Sequence, residues 1–158
     1  MTRLKDSYAS YLFHEGTNYQ AYKLLSPAPG TENGVEGWYF SVWAPNARAV
    51  SVVGDFNGWQ QGVHNMASSD DGIWTIFIPH VKQYDAYKYA VTGPDGNTIL
   101  KCDPYGLHFE TAPANASKLY DISGYRWKDK KWMSERENFN PYGSPINIYE
   151  MQIGRAHV

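Results

Sequence analysis

Short runs of alternating side chains, separated by turn-forming residues, constrain this chain more than any other feature of its sequence. In residues 38–43 every second side chain is a candidate for one buried face, and this two-residue period is typical of a β-strand. Runs of the same kind follow at residues 49–54, 73–78, 87–91, 98–101 and 117–122. Turn formers lie between them, as at residues 94–97. The six or seven short strands predict an all-β chain with an immunoglobulin-like β-sandwich.

Changes in composition along the chain predict four consecutive regions. Residues 1–30 mix polar and aromatic side chains and are predicted to be an extended or short-helical lead-in. Residues 31–122 carry the strand pattern and are the predicted sandwich. Residues 123–145 mix tryptophans with charges, which is typical of a linker or a short helix, and residues 146–151 have the pattern of one more strand.

Charge and composition exclude several classes of function. The formal net charge is −2 and no basic stripe is visible, so we do not expect nucleic acid as a partner. No apolar run has the length of a signal peptide or of a membrane span, so we expect a cytoplasmic protein without a membrane partner. Cys102 is the one cysteine, and the five histidines are scattered without metal-ligand spacing. We therefore expect no disulfide, no metal and no cofactor.

Six segments carry recognisable motifs. Residues 12–22 read LFHEGTNYQAY and residues 40–59 read FSVWAPNARAVSVVGDFNGW; shorter motifs lie at residues 72–79, 87–89, 101–105 and 148–150. Together they resemble, in order and spacing, the start of bacterial glycogen branching enzymes of the α-amylase superfamily. The WAPNA and GDFNGW pieces alone indicate a family 48 carbohydrate-binding module, whereas residues 14–17 and 103–117 are more particular to branching enzymes.

The resemblance implies a parent enzyme that cleaves an α-1,4-glucan and re-attaches the piece through an α-1,6 bond. Such a retaining transfer needs two carboxylates, which the family places on later strands of a (β/α)8 barrel. Residues 146–152 are expected to begin that barrel, so we predict no catalytic residue in this chain. Its expected partners are glycogen or another α-1,4-glucan and its own catalytic barrel. Residues 153–158 match a translated sequencing adapter, and we expect them to be foreign to the gene.

Two other kinds of protein share the sandwich and remain alternatives. A debranching or trehalohydrolase-type enzyme should lack the motif at residues 14–17. A non-catalytic, glycogen-binding regulatory subunit should lack the strand at residues 148–150.

Four residues are candidates for carbohydrate binding. Trp59 follows the Asn57–Gly58 turn, where an exposed ring can stack on the apolar face of glucose; the alternative is packing against a neighbouring domain. Lys88 is predicted to face away from the core and to bond sugar hydroxyls, unless it is an ordinary solvated lysine. Asn57 could bond a sugar but is more typical of a turn former. Ser117 falls where some modules place a sugar-contacting asparagine.

Other aromatic residues are predicted to be core rather than site. These are Trp38, Phe40, Trp74, Tyr87 and Tyr89, to which the aliphatic residue Val42 is added. Glycogen-binding kinase subunits carry a second stacking tryptophan after the Asp-Gly turn, where this chain has Thr98, Ile99 and Leu100. Because this chain lacks one of the two stacking tryptophans, the isolated module should bind glycogen more weakly.

Overall fold

A computed structural model describes residues 7–150, which divide into two compact units between Ser123 and Gly124. The first unit contains two antiparallel sheets, which confirms the all-β prediction. Its strands are β1 (Ala28–Glu32), β2 (Val35–Trp43), β3 (Ala49–Gly54), β4 (His64–Asn65), β5 (Ala67–Ser68), β6 (Ile73–Pro79), β7 (Ala86–Thr92), β8 (Thr98–Lys101), β9 (His108–Phe109) and β10 (Ser117–Lys118). The first sheet has the order β1-β2-β6-β5. The second has the order β4-β3-β7-β10-β9, with β8 also paired to β7.

Two long strand pairs build the core between the sheets. β2 pairs with β6 from Gly37 opposite Pro79 to Trp43 opposite Ile73. β3 pairs with β7 over its whole length. Because side chains alternate along a strand, each pair sends one row inward. The buried cluster contains Trp38, Phe40, Val42, Val50, Val52, Tyr87 and Tyr89, and each such side chain contributes about 2 kcal/mol. Five of the six predicted core residues are buried, and Trp74 is half-buried against them.

The strand β1 lies in a segment that the sequence predicts to be a loop. Pro27, Pro29 and Gly30 are typical of a loop and interrupt the alternation that predicts a strand. β1 is an edge strand of its sheet, and proline is tolerated in an edge strand. Asn33 and Gly34 join β1 to β2 with φ of 51° and 80°, the left-handed values of a tight hairpin turn. Asn33 and Gly34, which favour a loop when the sequence is taken alone, therefore form the turn of this hairpin.

Three helices flank the strands in the described part of the chain. The helices α1 (Ser7–His14) and α2 (Ala21–Leu25) form a short-helical lead-in. Ser10 of α1 hydrogen-bonds the carboxylate of Asp71, and Leu25 of α2 is buried. The second unit contains α3 (Lys130–Arg136) and a single 3-10 turn, Pro141–Gly143. No helix between residues 7 and 150 is both long enough and apolar enough to cross a membrane.

The last predicted strand is not formed. Residues 145–150 have no regular secondary structure, and the rest of the predicted segment lies outside the described residues. A strand is stabilised by hydrogen bonds to a neighbouring strand, and no described residue pairs with this segment. The proposed adapter residues 153–158 also lie outside the described part of the chain.

Candidate functional site

A short loop at the end of β3 presents Trp59 to solvent. A 3-10 helix, Asp55–Asn57, leads into Gly58 and Trp59, whose φ of 62° lies in the left-handed region. The Trp59 amide donates to the Gly54 carbonyl at 3.0 Å, and its indole Nε1 donates to Asp55 Oδ1 at 3.1 Å. A non-glycine residue in this conformation costs about 1 kcal/mol, so these bonds hold a strained position. The side chain remains 39% exposed.

The carboxylate of Asp55 connects this loop to the neighbouring strand. One oxygen accepts the Trp59 indole, and the other accepts the backbone amide of Ala86, the first residue of β7, at 2.9 Å. The ring of Trp59 is therefore fixed relative to the second sheet rather than free on a mobile loop.

Asn57 is used within the same loop. Its Oδ1 accepts the Gly54 amide at 2.9 Å, and its Nδ2 donates to the Val52 carbonyl at 2.9 Å. Nδ2 also lies 3.0 Å from Nδ1 of His64, whose pKa is lowered by burial, which favours the neutral ring that can accept this bond. Because both the oxygen and the nitrogen of its side-chain amide make hydrogen bonds here, Asn57 mainly stabilises the conformation of the Trp59 loop.

Lys88 lies on the outer face of the second sheet, opposite Val53. Tyr87 and Tyr89 on either side of it are fully buried, so the strand period turns Lys88 outward as predicted. Its side chain is half-buried, and Nζ donates to Oδ1 of Asn115. Sequence reasoning missed Asn115, which lies in a turn before β10 with only its neighbour Ser117 as a signal.

Ser117 lies on the inner side of the sheet. It pairs with Tyr87, its side chain is fully buried, and its Oγ accepts the amide of Asp103 at 2.9 Å. A side chain in that position cannot touch a bound glucan, so the expectation of direct contact at Ser117 needs correction. The asparagine that faces Lys88 is Asn115, which lies two residues earlier and before β10 begins, so the alternation of that strand does not set its direction.

Behind the site, a buried carboxylate is held by two tyrosines. Oδ2 of Asp103 accepts the Tyr87 hydroxyl at 2.6 Å and the Tyr89 hydroxyl at 3.3 Å, while Oδ1 accepts the Tyr105 amide at 2.8 Å. Burial raises the pKa of Asp103 to about 6, although the hydrogen bonds oppose the shift. This cluster supports the strands that carry Lys88 and Ser117.

The described residues therefore offer a fixed, exposed ring in the loop after β3, and an amine and an amide on the outer face of the second sheet. An aromatic ring can stack on the C–H face of a sugar, while Lys88 and Asn115 can bond hydroxyl groups. No group of three or more histidine, cysteine or acidic side chains that could hold a metal occurs within residues 7–150. Stacking and hydrogen bonding of a neutral ligand are the chemistry that this surface offers.

The sequence was also compared with models of known protein families. The model described as carbohydrate-binding module 48 (isoamylase N-terminal domain) matches residues 25–106, which is more than half of the 158 residues. The chain belongs to the carbohydrate-binding module 48 family. The matched region of this module includes Trp59 and Lys88 but ends before Asn115 and Ser117.

Curated relatives of this family 48 module share its sequence beyond the matched region. The 1,4-alpha-glucan branching enzyme GlgB of Butyrivibrio fibrisolvens is 46% identical over 91% of this chain and 23% of its own length. The GlgB enzyme of Halothermothrix orenii is 43% identical over 96% of this chain and 24% of its own length. The chain thus spans about a quarter of these relatives and matches their N-terminal region, which confirms the resemblance predicted from the motifs.

Solved structures similar to this module include two pullulanases. PulA of Klebsiella oxytoca is 28% identical, with a TM-score of 0.48 over 65% of this chain and 10% of that chain. The pullulanase of Bacillus acidopullulyticus is 25% identical, with a TM-score of 0.48 over 61% of this chain and 12% of that chain.

Proposed function

We propose that this family 48 module binds glycogen or another α-1,4-glucan on the outer face of its second sheet. Trp59 supplies the stacking platform, Lys88 and Asn115 bond sugar hydroxyls, and Asn57 keeps the loop in shape. The observation that carries the proposal is the position of Trp59, whose ring is exposed and yet fixed through Asp55.

The proposed parent protein is a branching enzyme, since the relatives that match most of this chain carry that name. In that enzyme another domain cleaves the α-1,4 bond and forms the α-1,6 bond, and this module holds the donor glucan in the cytoplasm. A single stacking contact contributes about 1 kcal/mol, which is weak by itself. Tethering a weak site to a catalytic domain raises the local concentration of glucan chains, so weak contacts suffice.

Retardation in native gels that contain glycogen tests the proposal. Trp59→Ala should weaken binding about fivefold, because loss of one stacking contact of about 1 kcal/mol corresponds to that factor. Lys88→Ala should have a smaller effect, since an exposed hydrogen bond competes with water. The matched control is Trp43→Ala, which removes a tryptophan of similar exposure (48% against 39%) from the opposite end of the β-strands.

Two results would contradict the proposal. Unchanged mobility of the Trp59→Ala variant would reject Trp59 as the platform. Absence of heat in a calorimetric titration of the unsubstituted chain with maltoheptaose would reject glucan binding altogether and leave a structural spacer.

A further inference from the structure

Three aromatic side chains outside the proposed Trp59 site form a second cluster that is open to solvent. The rings of Tyr84, His108 and Tyr120 lie within 5.6–5.7 Å of one another, measured between centroids. Tyr84 is 52% exposed, and the other two are partly exposed. We call these three residues the Tyr84 cluster. Aromatic rings that pack together yet stay open to solvent can contact a ligand without first leaving a core.

The strand register places the Tyr84 cluster on the same face as Lys88. Lys118 of β10 pairs with Ala86 on one side and with His108 on the other, and directly paired residues share a face. Ala86 and Lys88 are two residues apart on β7 and therefore also share a face. His108 consequently lies on the outer face, and Tyr84 and Tyr120 pack against it.

The loop that carries Tyr84 is held in place on both sides. Tyr84 has φ of 73°, a left-handed value that a tyrosine rarely adopts. Its amide donates to the Leu119 carbonyl at 2.7 Å, and the Leu119 amide donates to the Asp85 carbonyl at 3.1 Å. The Asp85 carboxylate accepts the Lys82 amide at 2.8 Å. Backbone strain that neighbours hold in place is typical of a functional position, and a held backbone lowers the entropy cost of presenting the ring to a ligand.

Hydrogen bonds through Asp55 link the Trp59 loop to the start of β7, directly after the loop that carries Tyr84. Asp55 binds both the Trp59 indole and the amide of Ala86, which lies only two residues beyond Tyr84. Two steps between strands separate β7 from β9, so His108 lies about 10 Å across the sheet from the strand of Lys88. We therefore expect a glucan of several units, and not a disaccharide, to contact both Trp59 and the cluster.

The Tyr84 cluster also carries polar atoms that can form hydrogen bonds with a sugar. The hydroxyls of Tyr84 and Tyr120 can donate and accept hydrogen bonds. Nδ1 of His108 lies 3.0 Å from the Phe109 carbonyl, so Nδ1 donates this bond and Nε2 is the ring nitrogen that can meet a ligand. On the other side of Lys88 the position paired with Ala90 is Leu100, which offers no ring.

We propose that the Tyr84 cluster is a second contact subsite for the same α-glucan chain, and that it binds glucose units beyond those at Trp59. This inference rests on the glucan-binding function proposed above.

The test compares a short and a long ligand on the full 158-residue chain. NMR titration of the Trp59 indole N–H signal measures affinity for maltose and for maltoheptaose in the unsubstituted chain and in two variants. Tyr84→Asn removes the ring but keeps a residue that tolerates the left-handed conformation, and Tyr120→Ala removes a second ring independently. His80→Asn is the matched control, because His80 also has left-handed φ, 62°, and is exposed outside the cluster.

Each variant of the cluster should weaken maltoheptaose binding about fivefold and leave maltose binding unchanged. The His80→Asn control should change neither, and all variants should keep the thermal unfolding transition. An equal loss for both sugars would overturn the inference, because the cluster would then only support the Trp59 loop. Unchanged maltoheptaose binding in both variants would also overturn it. If the unsubstituted chain binds neither sugar, the proposed function itself fails, which is a different result.

Discussion

Among residues 7–150, Asp103 is the one acidic or basic residue whose side chain is buried. Its side chain is buried behind the proposed site, and two tyrosine hydroxyls and a backbone amide donate to it. Burial of a carboxylate disfavours the charged form, while these donors favour it. Because burial is the larger effect, the pKa of Asp103 rises to about 6, and the pKa of each tyrosine also rises through burial and the neighbouring carboxylate.

A dependence of stability on pH follows at the same scale. Asp103 has a pKa of about 6 in the folded chain, against 3.8 for an ordinary aspartate. Between about pH 4 and pH 6 the folded chain binds the proton and the unfolded chain does not, so the contribution of Asp103 to stability falls as the pH rises. The difference of about two units corresponds to roughly 3 kcal/mol at most. Above about pH 6 both states are ionised and the contribution stays constant.

Urea unfolding of the unsubstituted chain and of Asp103→Asn at several pH values measures this effect. The free energy of unfolding of the unsubstituted chain relative to the variant should fall from pH 4.5 to pH 7.5. His64 titrates in both chains with a lowered pKa and therefore cancels from the difference. A difference that is independent of pH would contradict the assignment.

At the scale of elements, the β1–β2 hairpin depends on its two-residue turn. Gly34 has φ of 80°, and a Cβ built there meets nothing within 4 Å. The cost of Gly34→Ala is therefore purely conformational, about 1 kcal/mol, without a steric clash. We expect urea unfolding to show that loss. Gly124→Ala is the control, because Gly124 also has open space but lies outside the left-handed region, so its substitution should cost no stability. An equal effect of both substitutions would contradict the explanation.

The same scale explains why one predicted strand is shorter than its pattern. Residues 117–122 alternate, yet β10 contains only Ser117 and Lys118. The next residue, Leu119, exchanges backbone hydrogen bonds with Tyr84 and Asp85 of an irregular loop. The neighbouring strand β7 begins only at Ala86, so no regular partner exists for a longer strand.

At the scale of the whole molecule, the buried residues are concentrated in the first unit. Within residues 7–150, every buried side chain lies between Ser10 and Leu119. The second unit has an exposed helix of seven residues, with one exposed Lys131–Glu135 ion pair. A helix of that length is marginal by itself, and such an ion pair adds little stability.

We therefore expect a chain of residues 1–123 to unfold in urea at the same midpoint as the full chain. The sandwich core supplies the free energy of folding, and that core is intact in the shorter chain. Gly34→Ala should shift the midpoint equally in both lengths, which serves as an internal control. A clearly lower midpoint for the shorter chain would show that residues after Ser123 contribute to the stability of the sandwich.

The sequence by itself determined the strands β2, β3, β6 and β7, the side on which Lys88 lies, and the motifs of the family. These features are local, because the two-residue period and the turn residues of a segment do not depend on its partners. The same locality explains why Trp59, which follows a turn, is exposed as predicted, whereas its contact with a sugar stays a prediction.

Only the tertiary structure decided which side chains meet on the outer face. Lys88 and Asn115 are 27 residues apart, and His108 reaches the face of Lys88 only through its pairing with Lys118. A shift of one residue in the β7–β10 pairing would turn Ser117 outward and Lys118 inward. Register depends on how the two sheets pack as a whole, and for that reason the pattern of one segment could not reveal Asn115 or the Tyr84 cluster.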